Sequence, residues 1–530
     1  MIAGTKWWQR GIIYHVYPRS FQDTDGDGIG DLKGIEQRLD HIAGLGCDAV
    51  WISPVYPSPM KDHGYDVADY TGIHPLFGTL DDFDRLVARA KALGLKVVMD
   101  FVPNHTSDRH AWFLESRASR ESEKRDWYVW RDAGPDGSPP NNWISVFSGP
   151  AWTWDEATGQ YYLHSFLPEQ PDLNWRNPAV RAAMYDAMRF WLDRGIDGFR
   201  LDVVYYCMKD PQLRDNPPNP GWKPGMPEID TLLQAHSNDH EDMAIVIREM
   251  RAVVDAYDDR LLIGEIYLPL ERLMAYYGRD LSGAHLPFNF QLILTPWEAR
   301  EVAALVAQYE GLLPQGGWPN WVLGNHDQKR VAARVGEAQA RIAAMLLLTL
   351  RGTPTLYYGD ELGMPNVDIP PGRGEDAWGR HEAGFSRDPQ RTPMQWDDTE
   401  HAGFSTAEPW LPLSPDWRVR NVASQDRDPR SMLTLHRRLL ALRRASPALA
   451  IGDWSGIETV EGDVFAFERH HQGDAITVVL NFGASEVEVA DLRLPGGTGR
   501  IALSTHLDRD DQNVGPGVRL RPNEGVIIVA

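Results

Sequence analysis

The sequence predicts an α/β protein, a (β/α)8 barrel with a small domain inserted after its third strand and a C-terminal antiparallel β-sandwich. Three observations predict it. Eight short apolar, β-branched runs recur between residues 11 and 361, most separated by segments of helical periodicity, and eight such units close a parallel barrel. Residues 103–194 separate the third run from the fourth, more chain than one crossover needs. From about residue 450 the pattern changes to short alternating strands, the signature of a sandwich.

The runs are GIIYHVYP (11–18), CDAVWISPV (47–55), LKVVMDFV (95–102), GIDGFRLDVV (195–204), LLIGEIY (261–267), GAHLPFNF (283–290), PNWVLGNHD (319–327) and TPTLYYGDE (353–361). LDDFDRLVARAKALG (80–94) and PAVRAAMYDAMRFWLDRG (178–195) show the apolar spacing of crossover helices. The expected organisation is a barrel over 1–103, an inserted domain over 104–172, the rest of the barrel over 173–449 with an extended loop at 362–428, and a β-sandwich over 450–530.

Apolar residues make up 42% and charged residues 24% of the 530, a globular composition. With 75 Asp+Glu against 53 Lys+Arg, the formal charge of −22 excludes a broad phosphate-binding surface and hence a nucleic-acid partner. It does not disfavour a neutral ligand such as a sugar, whose ring faces suit some of the 20 Trp. Cys47 and Cys207, the only cysteines, lie in apolar sequence and read as buried free thiols. No basic start precedes a long apolar run, and AAMLLLTL (343–350) is too short to span a bilayer. A cytoplasmic protein without membrane contact, monomer or homodimer, is expected.

Polar residues at the C-terminal ends of barrel strands read as catalytic. Here they are Asp100, Asn104 and His105 after the third strand, Arg200 and Asp202 on the fourth, Glu265 on the fifth, and His326 with Asp327 on the seventh. One strand-end carboxylate also suits a helix N-cap; four strands delivering acids and imidazoles to one rim point to a site. Arg200 and Asp202, two apart, share a face, so the guanidinium is expected to keep Asp202 ionised. Apolar neighbours would hold Glu265 protonated. Two carboxyl groups with divided roles are the apparatus of glycoside hydrolysis.

DFVPNH (100–105), GFRLDVV (198–204), GEIY (264–267) and VLGNHD (322–327) resemble the four ordered motifs of the α-amylase family of glycoside hydrolases, and QPDLNW (170–175) is similar to the motif of its oligo-1,6-glucosidase and α-glucosidase branch. The resemblance implies Asp202 as nucleophile, Glu265 as acid/base and Asp327 as the third carboxylate, which grips sugar hydroxyls. It places Arg200, His105 and His326 around the same subsite. DHGYDVADY (62–70) is similar to the segment whose Asp and Tyr, here Asp62 and Tyr65, hold a terminal glucose. SRDPQRTPMQW (386–396) resembles a late loop whose Arg, read as Arg391 with Arg387 as the alternative, pairs with Asp62. Phe147 and Phe166 read either as aromatic walls or as core. Val203, following the nucleophile position, tends in the family to accompany α-1,6 activity, whereas the loop texture resembles enzymes of short substrates.

The implied activity is a retaining, exo-acting α-glucosidase on small α-glucosides of the maltose or isomaltose type, with transglucosylation open. Alternatives within the family are a glucosyl-transferring or isomerising enzyme, such as a trehalose synthase, or a sucrose hydrolase. Transporter heavy chains of the same architecture lack the full acid set and carry a membrane anchor.

DTDGDGIGD (23–31) sets Asp23, Asp25, Asp27 and Asp31 at alternating positions, with the Ile29 carbonyl between the last two, like the opening of a calcium loop. Gly34 stands where an EF-hand has its bidentate Glu. A similar loop binds calcium or magnesium in oligo-1,6-glucosidase relatives, so the resemblance implies a structural Ca2+ or Mg2+ and no organic cofactor.

Overall fold

The computed structural model describes residues 4–382, 384–458, 462–492 and 494–529. Eight parallel strands close a barrel: β1 (Ile13–Val16), β2 (Ala49–Ile52), β3 (Lys96–Phe101), β4 (Gly198–Leu201), β5 (Leu261–Ile266), β6 (Leu286–Asn289), β7 (Asn320–Val322) and β8 (Thr353–Tyr357), with β8 pairing back onto β1. Every strand falls within one of the eight apolar runs. β6 meets β7 through one registered pair, Asn289 with Trp321, and Pro287 within it has no N–H to donate.

Side-chain alternation divides each strand between two cores. Ile13, Trp51, Val98, Ile263, Leu286 and Phe288 fill the barrel interior. Their neighbours Tyr14, Val50, Met99, Phe199, Leu201 and Leu262 pack outward beneath the helices. At Gly198 an added Cβ would lie 2.2 Å from the Leu261 carbonyl oxygen, so β4 and β5 approach this closely only with glycine there. The crossover helix Leu80–Ala92 starts from a Thr79/Asp82 capping box, and Pro178–Asp193 starts with Asn177 as cap and proline at its first position.

The chain between β3 and β4 carries a small antiparallel sheet of Trp130–Arg131, Gln160–Leu163 and Trp152–Asp155. Its ends are fastened where it leaves and rejoins the barrel. His105 bridges to Asp172, and the buried Lys209 ammonium lies 2.7 Å from Asn104 Oδ1 and 2.6 Å from Asp172 Oδ2. The C-terminal region forms a six-stranded antiparallel sheet and a two-stranded ribbon, Val487–Val489 with Val518–Leu520. Val464, Ala466, Val479 and Ile528 of the sheet pack against Val489, Val518 and Leu520 of the ribbon. The other face, with Phe465, Phe467, Val478 and Ile527, joins the main core. Among the described residues no helix is long and apolar enough to cross a membrane, and Cys47 and Cys207 are buried free thiols.

Candidate active site

The inward register of the strands continues past their C-terminal ends and there turns polar. Above Val98 comes Asp100, above Gly198 come Arg200 and Asp202, and above Ile263 comes Glu265; Asp100 and Arg200 are partners across the sheet, as are Arg200 and Ile263. These side chains lie beneath and around a pocket of about 830 Å³ lined by Asp62, Tyr65, His105, Phe147, Phe166, Asp202, Val203, Glu265, His326, Asp327 and Arg387, among others. All the residues expected at the sugar site are thus brought to this pocket or, for Arg200 and Arg391, directly against its carboxylates.

Arg200 is wholly buried and is the hub. Its Nη1 donates to Asp100 Oδ1 and Asp202 Oδ1, each at 2.8 Å, and its Nη2 lies 2.7 Å from Glu265 Oε1. One positive charge is shared by three carboxylates, which weakens the hold on Asp202 that was expected of Arg200. Burial and the neighbouring Glu265 push Asp202 up from the usual carboxylate range, against the pull of Arg200. Burial likewise raises Glu265 to about 7 despite Arg200 and the Val203 N–H that donates to its Oε2 at 2.8 Å. The two carboxyl groups therefore titrate as a pair, both pushed up by burial and held by the one guanidinium. Val203 reaches Glu265 from a left-handed backbone, φ +33°, unusual for a β-branched residue.

The opposite wall holds a second charge cluster, and here one assignment is corrected. The partner of Asp62 is Arg387, not Arg391: Arg387 Nη2 donates to Asp62 Oδ1 at 2.7 Å. Arg387 also grips Asp376 and reaches Asp327 Oδ1 at 3.2 Å. Arg391 Nη2 instead donates to Asp327 at 2.9 Å, and its Nε donates to the His326 carbonyl at 2.9 Å. Both arginines are reachable from the one loop because a 3-10 turn, Asp388–Gln390, lies between them and points both side chains inward.

The histidines are buried and kept neutral. Burial lowers His105 to about 4, and burial with Arg391 and Arg200 nearby holds His326 well below its ordinary value. His326 stacks on Tyr17 and Tyr65 at 5.5 and 5.2 Å between ring centroids. The Tyr65 hydroxyl donates to Asp100 at 3.0 Å. Gln170 Nε2 contacts both Asp62 and His105, which gives the QPDLNW motif a place at the site. Phe147 and Phe166 line the pocket and pack on each other at 5.9 Å, so they serve as wall and core at once.

Sequence reading missed Asp376, which looks like an ordinary loop acid in GRGEDAW. It also missed most of the outer wall: Tyr205, Ile229, Asp230 and Gln234 from the segment after β4, Leu268 after β5, and Trp378. That segment has no periodicity to mark it, and only the closure of the barrel brings it over the pocket.

In the loop after β1, the carboxylates of Asp23, Asp25 and Asp27 converge, with oxygens all within 4.8 Å of one another. Burial and the charges of Asp25, Asp23 and Asp31 raise Asp27, a repulsion that a cation would relieve. Asp31 does not join them. It caps the helix Leu32–Leu45, accepting from Gly34 N–H at 2.7 Å and from Thr24 N–H at 2.8 Å. Ile29 belongs to the turn through its N–H, which donates to Asp27 at 2.8 Å. Gly34 stands in place of a glutamate because a Cβ there would lie 2.0 Å from the Gln22 carbonyl oxygen.

The chain matches the family model of the α-amylase catalytic domain over residues 15–452. It is 42% identical to a "Probable alpha-glucosidase" of Rhizobium meliloti (strain 1021), covering 95% of each chain, and 38% identical to an oligo-1,6-glucosidase of Halalkalibacterium halodurans, covering 98% of each. Among solved structures it is similar to the α-glucosyl transfer enzyme XgtA (40% identity, 99% and 100% of the two chains, TM-score 0.93). It is also similar to the trehalulose synthase MutB of Pseudomonas mesoacidophila MX-45 (35% identity, the same coverage, TM-score 0.90). With barrel, strand-end carboxylates and family match in agreement, this chain belongs to the α-amylase family of glycoside hydrolases.

Proposed function

We propose that the protein is an exo-acting, retaining α-glucosidase that releases glucose from the non-reducing end of short α-glucosides. The observation that carries this reading is Arg200 holding Asp202 and Glu265 on its two terminal nitrogens beside a pocket that the Asp62–Arg387 pair also lines. Sharing one guanidinium supports the short carboxyl separation of a retaining enzyme over the wider one of an inverting enzyme.

In the proposed reaction Glu265, protonated at neutral pH and below, gives its proton to the glycosidic oxygen while Asp202 attacks C1. The aglycone departs and a glucosyl ester forms on Asp202. Glu265, now a carboxylate, takes a proton from water, the water oxygen bonds to C1, and Asp202 leaves with its electron pair. Two inversions restore the α configuration. Around this centre six carboxylates (Asp62, Asp100, Asp202, Glu265, Asp327, Asp376) face three arginines (Arg200, Arg387, Arg391). The negative surplus favours the positive charge that develops on the sugar in the transition state. Asp327, fixed by Arg387 and Arg391, is proposed to hold the sugar hydroxyls, and Val203 flanks the linkage.

A second reading, transfer or isomerisation instead of hydrolysis, is favoured by the activities named for the two solved structures above. It uses the same ester, resolved by a sugar hydroxyl instead of water. NMR of the initial products from maltose, isomaltose, sucrose and trehalose tests both. Early α-glucose supports the first reading, new or isomerised saccharides favour the second, and early β-glucose overturns retention.

Asp23, Asp25 and Asp27 are proposed to hold a structural Ca2+ or Mg2+, supported by their three convergent hard oxygens. The loop lies on the carbonyl side of a contact with the segment after β8, since Trp410 N–H donates to the Gly28 oxygen at 3.0 Å, so the ion would brace that segment and take no part in the chemistry. A cytoplasmic location belongs to the same proposal, supported by the unbridged buried thiols.

A further inference from the structure

The outer rim of the pocket is built from three chain segments that no strand joins: the tip of the inserted domain at 147–149, the segment after β4 at 227–230, and the segment after β8 at 377–382. They converge on one side chain. Glu382 Oε2 accepts from Ser148 Oγ at 2.7 Å and from Trp378 Nε1 at 3.2 Å, and its Oε1 accepts from the Glu228 backbone N–H at 3.1 Å. The inserted-domain tip and the segment after β4 also meet directly, the Gly149 N–H donating to Glu228 Oε2 at 2.9 Å.

The backbone at the tip is bent to make these contacts. Ser148 sits at φ +74° and Gly149 at φ +75°; for serine this is a region with a conformational cost, and the contacts to Glu382 and Glu228 offset it. What the contacts hold in place is pocket wall. Phe147, next to Ser148, packs on Trp378 with ring centroids 5.6 Å apart, and Arg387 lies 5.0 Å over the Phe147 ring. Ile229 and Asp230, which line the pocket, directly follow Glu228.

We infer that Glu382 is a positioning residue that latches the three segments together and so shapes the half of the pocket where the aglycone or acceptor sits. This rests on the α-glucoside reading of the site. Three donors converge on one carboxylate. A glutamine keeps the size but has one acceptor oxygen, and an aspartate is a methylene too short to reach all three. Glu382 makes none of the contacts that hold Asp202, Glu265 or Asp327. Its loss therefore acts on the outer ring of the substrate and on water entry, not on the chemical step.

The test uses the full chain with maltose or whichever disaccharide it cleaves best. Glu382→Ala raises KM by roughly 3- to 10-fold, the worth of a few exposed and half-buried hydrogen bonds, with kcat within about twofold. The fraction of glucosyl groups passed to sugar at high substrate falls in the same variant. Glu382→Gln is intermediate, and Ser148→Ala alone raises KM by a smaller factor. Because Ser148 acts through Glu382, the double variant is no worse than Glu382→Ala. Unchanged KM and transfer fraction in Glu382→Ala, strict additivity in the double variant, or no effect of Ser148→Ala overturns the latch. Should Glu382→Ala fail to fold, the KM of Ser148→Ala decides alone. Failure of the unmodified protein to cleave any α-glucoside overturns instead the functional reading beneath it.

Discussion

Glu265 is nearly inaccessible, and its pKa near 7 makes it a measurable stability liability as well as a proton donor. Below its ordinary value of 4.5 the folded and unfolded chains both carry the proton, and nothing is lost. As pH rises from 4.5 to about 7 the unfolded chain releases that proton while the folded chain retains it, so stability falls; above 7 the loss is complete. At 1.36 kcal/mol per pKa unit the displacement costs about 3 kcal/mol at pH 8 and above. Glu265→Gln keeps the shape and cannot ionise, so the variant gains what the unmodified protein loses. With an unfolding entropy of about 2.1 cal/mol/K per residue, a chain of 530 residues shifts its Tm by about 1 °C per kcal/mol, or about 3 °C here. Calorimetric scans of both proteins between pH 4.5 and 8.5 are expected to coincide at the acid end and to diverge by about that amount at the alkaline end, the variant higher. A difference that stays constant with pH, or that favours the unmodified protein at high pH, refutes the assignment of a raised, burial-driven pKa to Glu265.

Other outcomes follow from the same geometry. Arg387→Ala removes the salt bridge of buried Asp62 and leaves Asp376 with the longer contact to Arg391, costs about 3–5 kcal/mol by denaturant titration, and lowers kcat/KM at least 100-fold; Arg387→Lys rescues little, because one ammonium cannot serve three carboxylates. Lys209→Met leaves Asp172 and Asn104 without their shared ammonium, costs about 3–5 kcal/mol, and exposes the inserted domain to limited proteolysis below the global melt. EDTA lowers Tm by about 2–3 °C, added Ca2+ or Mg2+ restores it, and Asp25→Asn removes the response.

The barrel was legible because period-2 burial and helical crossovers leave their mark on composition, and even β6, interrupted by Pro287, kept enough apolar residues to be found. The catalytic carboxylates were legible for a related reason. Polar residues such as Asp100, Arg200 and Glu265 stand where the apolar alternation of an inward strand face should have continued. What stayed hidden depends on distances that sequence does not hold. Arg387 and Arg391 are four residues apart in one loop, and only the turn between them decides which meets Asp62. Asp31 has the spacing of a metal ligand, yet one of its oxygens caps the following helix and the other accepts from Thr24 of the loop. The sharing of Arg200 among three acids, which weakens its hold on Asp202, depends on β3, β4 and β5 standing side by side.

The central claim is that Asp202 forms a covalent bond to glucose while Glu265 manages the proton. Incubation with a 5-fluoro-α-glucosyl fluoride, which forms the ester quickly and loses it slowly, followed by proteolysis and mass spectrometry, tests it most directly. One glucosyl adduct per chain is expected, on the peptide containing Asp202 and fragmenting to that residue. An adduct on Glu265 or Asp327, or turnover of the fluoride with no adduct trapped on any residue, contradicts it.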